Sequence, residues 1–338
     1  MKREAFFDNA KFILIFLVVF GHMIQPFTDN QVIEVLYYFI YIFHMPAFIL
    51  LSGFFAKGVG DLGYIWSLCR KLIMPYLIFQ LLYSGYYYMI GDTGWQTAWY
   101  KPHWALWFLL SLFCWHILLI VFKKIPSIFS IIIAVEIGII VGYIDVIGHA
   151  LSLSRTFVFF PFFLIGYWLS KEQLIKLSHP LVKGTTLLVF SVVMIALTVT
   201  PSFSSSWLLG SFSYSEMGQP IWGGVIRFGV YLLAIIITCG VFAWIPWKTY
   251  SWTKFGKQTL YVYLLHGLFI QFFREAGWFK VGRMLDVVGL AMLSMFIVLL
   301  LSSRVVFVSF QPFIEGKITQ LRRWIDKRKE RKNRELLQ

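Results

Sequence analysis

Charge is scarce in this chain. Asp, Glu, Lys and Arg make up 14% of its 338 residues, against about a quarter in an ordinary soluble domain. So little charge does not clothe a water-facing surface of that size, and a soluble globular reading is set aside. Cysteine is scarcer still, with Cys69, Cys114 and Cys239 the only three. They lie far apart, each in or beside an apolar run, which excludes a disulfide framework and metal-ligand spacing and leaves small buried residues. No metal and no tightly bound cofactor are expected. Nucleotide motifs are missing too: there is no Walker-type loop, no GxGxxG after a strand, no GxSxG elbow and no zinc spacing. That argues against an ATP-driven pump and leaves a transporter open. Acidic residues number 16 against 30 basic ones, a formal charge of +14. This excess does not describe a nucleic-acid groove, because nine of the 30 lie between Lys317 and Arg334 and most others flank apolar runs.

What is abundant is apolar surface. Hydrophobic residues make up 59% of the chain and aromatic ones 20%, with 14 Trp and 17 Tyr. The mean hydropathy is +0.74. Such a chain needs a second solvent, and lipid supplies it. A bilayer core about 30 Å thick takes roughly 20 apolar residues in a helix. Ten stretches approach this: 11–27, 33–56, 72–91, 104–122, 127–147, 156–170, 183–201, 221–245, 258–273 and 287–309. The sequence therefore predicts an all-α fold, a polytopic membrane bundle of about ten helices. Residues 1–314 read as one transmembrane domain without repeats or linkers, and 315–338 as a basic tail. Pro46, Pro75 and Pro161 fall inside apolar runs and are expected to kink them locally, as membrane bundles tolerate. The first run follows Lys2, Arg3 and Lys11 as a secretory leader would. It lacks a small-residue cleavage site, and it is read as a retained span.

Loop charge sets the orientation. With the N-terminus in the cytoplasm, the inner segments carry Lys2 and Arg3, then Lys57, Arg70 and Lys71, then Lys123 and Lys124. Lys171, Lys176 and Lys183 follow, then Lys248, Lys254 and Lys257, and finally the tail. The outer loops carry Lys101, Arg155, Arg274, Lys280 and Arg283, while 28–32 and 202–220 have no Lys or Arg. The expectation is a multi-pass protein of the cell membrane with both termini cytoplasmic. Its tail fixes topology and contacts anionic lipid.

Ionisable groups at membrane depth are costly and mark candidate sites. The opening run places Asp8 and Lys11 before nine apolar residues, Gly21 and His22. Eleven positions separate Lys11 from His22, which at about 100° per residue returns to within roughly 20° of the start and rises about 16 Å. The two share one helix face, and Asp8 is spaced to pair with Lys11. On pattern alone, a hydrogen-bonded structural histidine is the better reading of His22 than a functional one. In the second stretch, His44 precedes Pro46, where a local break would expose its ring to a cavity. Ser52-Gly53 reads as close helix packing by small residues. Arg70 and Lys71 are positive-inside flankers unless an anion binds there. Arg155 is less easily dismissed, because it lies on the side that the charge rule empties. Glu136 is deep in its stretch and is expected to need a partner. His103 to Phe108 reads as an interfacial aromatic belt, and His266 as another intramembrane imidazole. His116, His149 and His179 are assigned no role.

Taken in order, these segments resemble the acyltransferase 3 family of membrane acyltransferases. Asp8, Lys11 and His22 fit its opening signature, with Lys where many members have Arg. Phe43 to Phe48 and Ser52-Gly53-Phe54 resemble its second-helix motif. Arg70 to Tyr76, Leu106 to Leu109 and Tyr263 to His266 are similar to later blocks. The Phe-Asp-Asn-Ala-Lys opening is closest to the branch grouped with fucose 4-O-acetylase.

The resemblance implies transfer of an acyl group, usually acetyl, from cytoplasmic acyl-CoA as co-substrate to a hydroxyl of a cell-envelope carbohydrate or glycolipid. The extracytoplasmic SGNH-type domain that some members carry is not expected here, so any second-stage transfer falls to a separate protein. His22 is the candidate general base, and an acyl-histidine intermediate is the alternative chemistry. Lys11, held by Asp8, is the candidate for an anionic part of CoA, with Arg70 and Lys71 adding to that site. His44, Ser52, Trp107, Arg155, Tyr263 and His266 are candidates to line the substrate path. An exporter of a glycan or lipid-linked sugar fits ten spans and buried charge equally well. The single-face Lys11/His22 pair and the absence of two similar halves favour the enzyme.

Overall fold

In the computed structural model the described residues are 4–58, 60, 62–90, 99–147, 150–200, 204–279 and 281–316, and every regular element among them is helical. Lys2, Arg3, His149, Lys280 and residues 317–338 of the basic tail lie outside them. Helix α1 (Ala5–Ile24) runs into a 3-10 turn at Gln25–Phe27. Asn30 then starts α2 (Gln31–Phe54), its Oδ1 accepting from the amides of Val32 and Ile33 at 3.0 and 3.4 Å. That side chain satisfies two of the donors a helix start leaves open.

After α3 (Leu62–Leu68), a π turn at Cys69–Ile73 feeds α4 (Met74–Ile90), followed by α5 (Trp107–Phe122), α6 (Ser127–Ile140) and α7 (Leu153–Trp168). The short α8 (Lys171–Leu177) turns away from α7 by 101°. Ser170 makes that corner, because its hydroxyl caps Gln173 while the Gln173 side chain caps Ser170 in return. Then come α9 (Pro180–Val199), the single turn α10 (Ser206–Leu209), α11 (Gly223–Trp244), α12 (Thr259–Glu275), α13 (Met284–Leu301) and α14 (Arg304–Glu315).

Each of the ten apolar stretches overlaps helix, the tenth of them two helices. Six helical segments among the described residues are long and apolar enough to cross a bilayer, and the bent α7–α8 pair makes a seventh. Helix α5 and the segment from Ser127 to Tyr143 are shorter apolar pieces. At 16 residues, α5 and α7 each rise about 24 Å, less than a full hydrocarbon core.

Helix α1 packs on α2, α12, α13 and the turn at Thr253–Lys257. Its first turn is pinned by Asn9, whose Nδ2 donates to the carbonyls of Pro246 and Lys248 at 2.8 and 2.9 Å, while Thr253 donates to its Oδ1 at 2.7 Å. This is why the helix begins at Ala5, well before the apolar stretch: its polar residues have partners inside the protein. Helices α2 and α7 meet through two glycines. A side chain on Gly53 would strike the Phe163 carbonyl, and one on Gly166 would strike the Leu50 carbonyl. The close packing expected at Ser52-Gly53 is present.

Three expectations change. The tenth stretch, 287–309, breaks at Ser302-Ser303, where Ser303 caps a separate helix by accepting from Val306. Glu136 is exposed on α6 and does not sit deep in the bundle. Arg274 belongs to the last turn of α12, not to a loop.

Candidate active site

The periodicity of α1 decides where the site lies. Lys11, Ile15, Val18, His22 and Gln25 recur at steps of four and three, so they form one stripe. That stripe lines a cavity of about 450 Å³. Facing it are His44, Met45, Phe48 and Ser52 on α2, Phe108, Leu112 and His116 on α5, and Arg155 on α7. Thr259, Leu260 and Tyr263 of α12 close the side. From Lys11 to His22 the helix rises about 16 Å, so the two stand towards opposite ends of one apolar passage.

At the Lys11 end, the ammonium is 3.5 Å from Asp8, which is 4% exposed while Lys11 remains 26% exposed. The ammonium also lies 5.2 Å above the Phe55 ring, a contact that holds a cation without neutralising it.

At the other end, His22 Nδ1 is 2.9 Å from the Tyr41 hydroxyl. The Tyr37 ring packs against that of Tyr41, their centroids 4.0 Å apart. The His266 ring lies 5.7 Å from that of His22. A turn of chain covers this end. Arg155 stacks 5.2 Å over Trp107 and donates to the Leu209 carbonyl at 3.2 Å and the Ser211 hydroxyl at 3.3 Å. Arg227 of α11 holds the same turn by donating to the Trp207 carbonyl at 2.6 Å.

Three imidazoles have a fixed tautomer when neutral. Nδ1 of His44 is 2.9 Å from the Ile40 carbonyl and that of His116 is 2.8 Å from Leu112. His266 Nδ1 is 2.7 Å from the Tyr263 carbonyl. A carbonyl only accepts, so Nδ1 carries the proton in each and Nε2 is the acceptor. His22 differs, because its Nδ1 partner is a hydroxyl that can also accept. With Nδ1–H donating to Tyr41, Nε2 of His22 is the basic atom.

Seven sequence candidates therefore line one cavity: Lys11, His22, His44, Ser52, Trp107, Arg155 and Tyr263. Asp8 buttresses Lys11 from behind, and the fully buried His266 stands behind His22, outside the lining. Arg70 and Lys71 are exposed on the π turn and do not line the cavity. Trp107 and Phe108 face inward, not to an interfacial belt, with Trp107 stacked on Phe159 at 5.5 Å. His116, given no role from sequence, is part of the lining, whereas His179 is exposed and caps α9. Gln25, Tyr41 and Arg274 also went unread as site residues. The i, i+3 step from His22 to Gln25 was the available signal for the first.

A family model described as an acyltransferase domain matches residues 4–303, nearly the whole chain. The chain belongs to the acyltransferase 3 family. Every cavity-lining residue falls within the matched acyltransferase segment. Nodulation protein NolL of Sinorhizobium fredii (strain NBRC 101917 / NGR234) is 27% identical over 211 residues, which is 56% of this chain and 55% of that protein. The NolL of Mesorhizobium japonicum (strain LMG 29417 / CECT 9101 / MAFF 303099) is 33% identical over 100 residues, covering 22% of this chain and 27% of that protein. The chain thus spans about half the length of the first of these relatives, and less of the second. No solved structure matches it. The apolar helices and the family together make this a membrane protein.

Proposed function

We propose that the protein is an acyl-CoA-dependent O-acyltransferase of the cell membrane. It moves an acyl group, usually acetyl, from cytoplasmic acyl-CoA to a hydroxyl of a cell-envelope carbohydrate or glycolipid. The observation that carries this reading is the cavity itself, with Lys11 towards one end and His22 towards the other on a single stripe of α1. Loop charge puts both termini, and hence the Lys11 end, on the cytoplasmic side.

Lys11 contacts a phosphate of the donor, with Asp8 limiting its rotamers. The exposed Arg70 and Lys71 add positive charge at the inner surface, where they attract the polyanionic donor. The thin pantetheine arm follows the apolar passage past Ser52 and His116 towards His22. There the acceptor hydroxyl gives its proton to Nε2 of His22 as its oxygen attacks the thioester carbonyl. The tetrahedral adduct expels the thiolate of CoA, which takes the proton back, leaving an O-acyl ester and free CoA. A positioned imidazole contributes roughly 10²–10⁴ in rate to such a step. Arg155 stands where it stabilises the oxyanion, while His44, Trp107 and Tyr263 shape the passage and His266 supports His22. Residues 1–314 carry out this reaction, and the tail contacts anionic lipid.

Donor binding tests the reading. Purified wild-type protein should bind acetyl-CoA, and Lys11→Ala should weaken that binding far more than His22→Ala does. A charge-assisted contact is worth about 1.5–3 kcal/mol, a loss of roughly 10- to 150-fold at low salt. Added salt should narrow the difference, and Lys11→Arg should retain most of the affinity. Folded wild-type protein that binds no acetyl-CoA would overturn the proposal.

A further inference from the structure

Past the His22 end of the first cavity lies a second, of about 510 Å³, formed between the end of α1 and the end of α12. Its walls include Phe27, Phe273 and Phe279, and its polar groups are Gln25 and the Arg274 guanidinium. Gln25 lines both cavities, so they meet at that side chain. Nη2 of Arg274 donates to the His22 carbonyl at 2.8 Å and to Gln25 Oε1 at 2.9 Å. One amide side chain therefore stands in the walls of both cavities and is tied through Arg274 to the backbone of the proposed base.

We infer that this second cavity is the outer binding subsite for a carbohydrate acceptor, whose reacting hydroxyl passes Gln25 to reach His22. The inference rests on the acyl-transfer reading above and names the place from which the acceptor enters.

The chemistry of the walls fits a pyranose. Such a ring has apolar C–H faces and hydroxyl edges. The rings of Phe273 and Phe279, 5.4 Å apart and inclined at 58°, offer aromatic surface to the first. Arg274 and Gln25 offer hydrogen-bonding groups to the second. A lipid tail would gain nothing from a guanidinium in its wall and would strip water from it, a costly exchange. The donor phosphates are held at the far end, since Gln25 and Lys11 are separated by about 21 Å along α1. The volume also lies within the roughly 300–1,000 Å³ range of small-molecule sites.

Blocking the outer cavity from outside the cell tests this. Phe279→Cys is made in a full-length chain whose Cys69, Cys114 and Cys239 are replaced by Ala. Intact cells are treated with a membrane-impermeant anionic thiol reagent. Acylation of envelope carbohydrate is read by mass spectrometry before and after labelling of the same variant. Ser215→Cys, in the exposed outer loop, is the labelling control.

The expected result is at least a tenfold loss of acylation on labelling Phe279→Cys and none on labelling Ser215→Cys. Acetyl-CoA affinity of the labelled, purified Phe279→Cys protein should stay within twofold of the unlabelled. Labelled Phe279→Cys with undiminished acylation would overturn the subsite, as would loss of donor binding on labelling. A Phe279→Cys thiol unreachable from outside would overturn the entry route. If cells with and without the wild-type protein show identical glycans, the acyl-transfer reading itself fails and this one with it.

Discussion

The Tyr41 hydroxyl lies 2.9 Å from Nδ1 of His22, reaching across from α2 to a residue 19 positions earlier on α1. In the tautomer whose Nδ1–H donates to it, Nε2 is the basic atom, and the hydroxyl keeps a hydrogen-bonding partner on the ring when that ring is charged. Tyr41→Phe removes only the hydroxyl. A hydrogen bond to a charged group is worth about 1.5–3 kcal/mol, so acyl transfer should fall roughly 10- to 150-fold. Acetyl-CoA binding, measured by calorimetry, should be unchanged, because the hydroxyl is remote from Lys11. An unaltered rate would remove Tyr41 from the mechanism.

Gly53 and Gly166 set how closely α2 and α7 approach, and these two helices carry His44, Ser52 and Arg155. Alanine at either position meets backbone carbonyls, which cannot swing aside as a flexible side chain can. Each substitution should cost about 1–3 kcal/mol or more and lower the thermal midpoint of the purified protein. Gly58→Ala, where a Cβ meets nothing within 4 Å, should leave the midpoint unmoved. Equal midpoints for all three would show that the helices are not held at this distance by the glycines.

Sidedness is checked by two single cysteines at exposed positions, Lys176→Cys after α7 and Ser215→Cys before α11. In intact cells, an impermeant reagent should label Ser215→Cys and spare Lys176→Cys until the membrane is opened. Labelling of both from one side would contradict the orientation given by the loop charges.

The stripe on α1 was legible in the sequence because a helix repeats every 3.6 residues, and a polar residue eleven positions from another must share its face. The same arithmetic does not read α5. Nearly every residue from Trp107 to Phe122 is apolar, so no face stands out and the inward turn of His116 leaves no trace in the pattern. Arg274 was misplaced for a different reason. Charge counting puts cations in loops, yet α12 runs on to Glu275, and the Arg274 guanidinium is held by the His22 carbonyl and Gln25. Arg227 falls inside the apolar run 221–245 and was read only as part of it. Its contact, the Trp207 carbonyl, is 20 residues away in a turn that no periodicity predicts. The cut at Ser302-Ser303 went unread, although Ser before Arg304 supplies the acceptor that a new helix needs.

The central claim is that His22 moves the proton of the acceptor hydroxyl. The most direct measurement compares acetyl transfer to envelope carbohydrate by cells carrying wild type, His22→Ala or His179→Asn, with protein abundance and acetyl-CoA affinity measured alongside. His179 is an exposed helix cap remote from the cavity lining, and asparagine retains the cap. His116, which lines the cavity, is unsuitable as that control. His22→Ala should lose roughly 10²–10⁴ in transfer while binding donor normally and accumulating to wild-type levels, and His179→Asn should match wild type. Near-normal transfer by His22→Ala would contradict the claim.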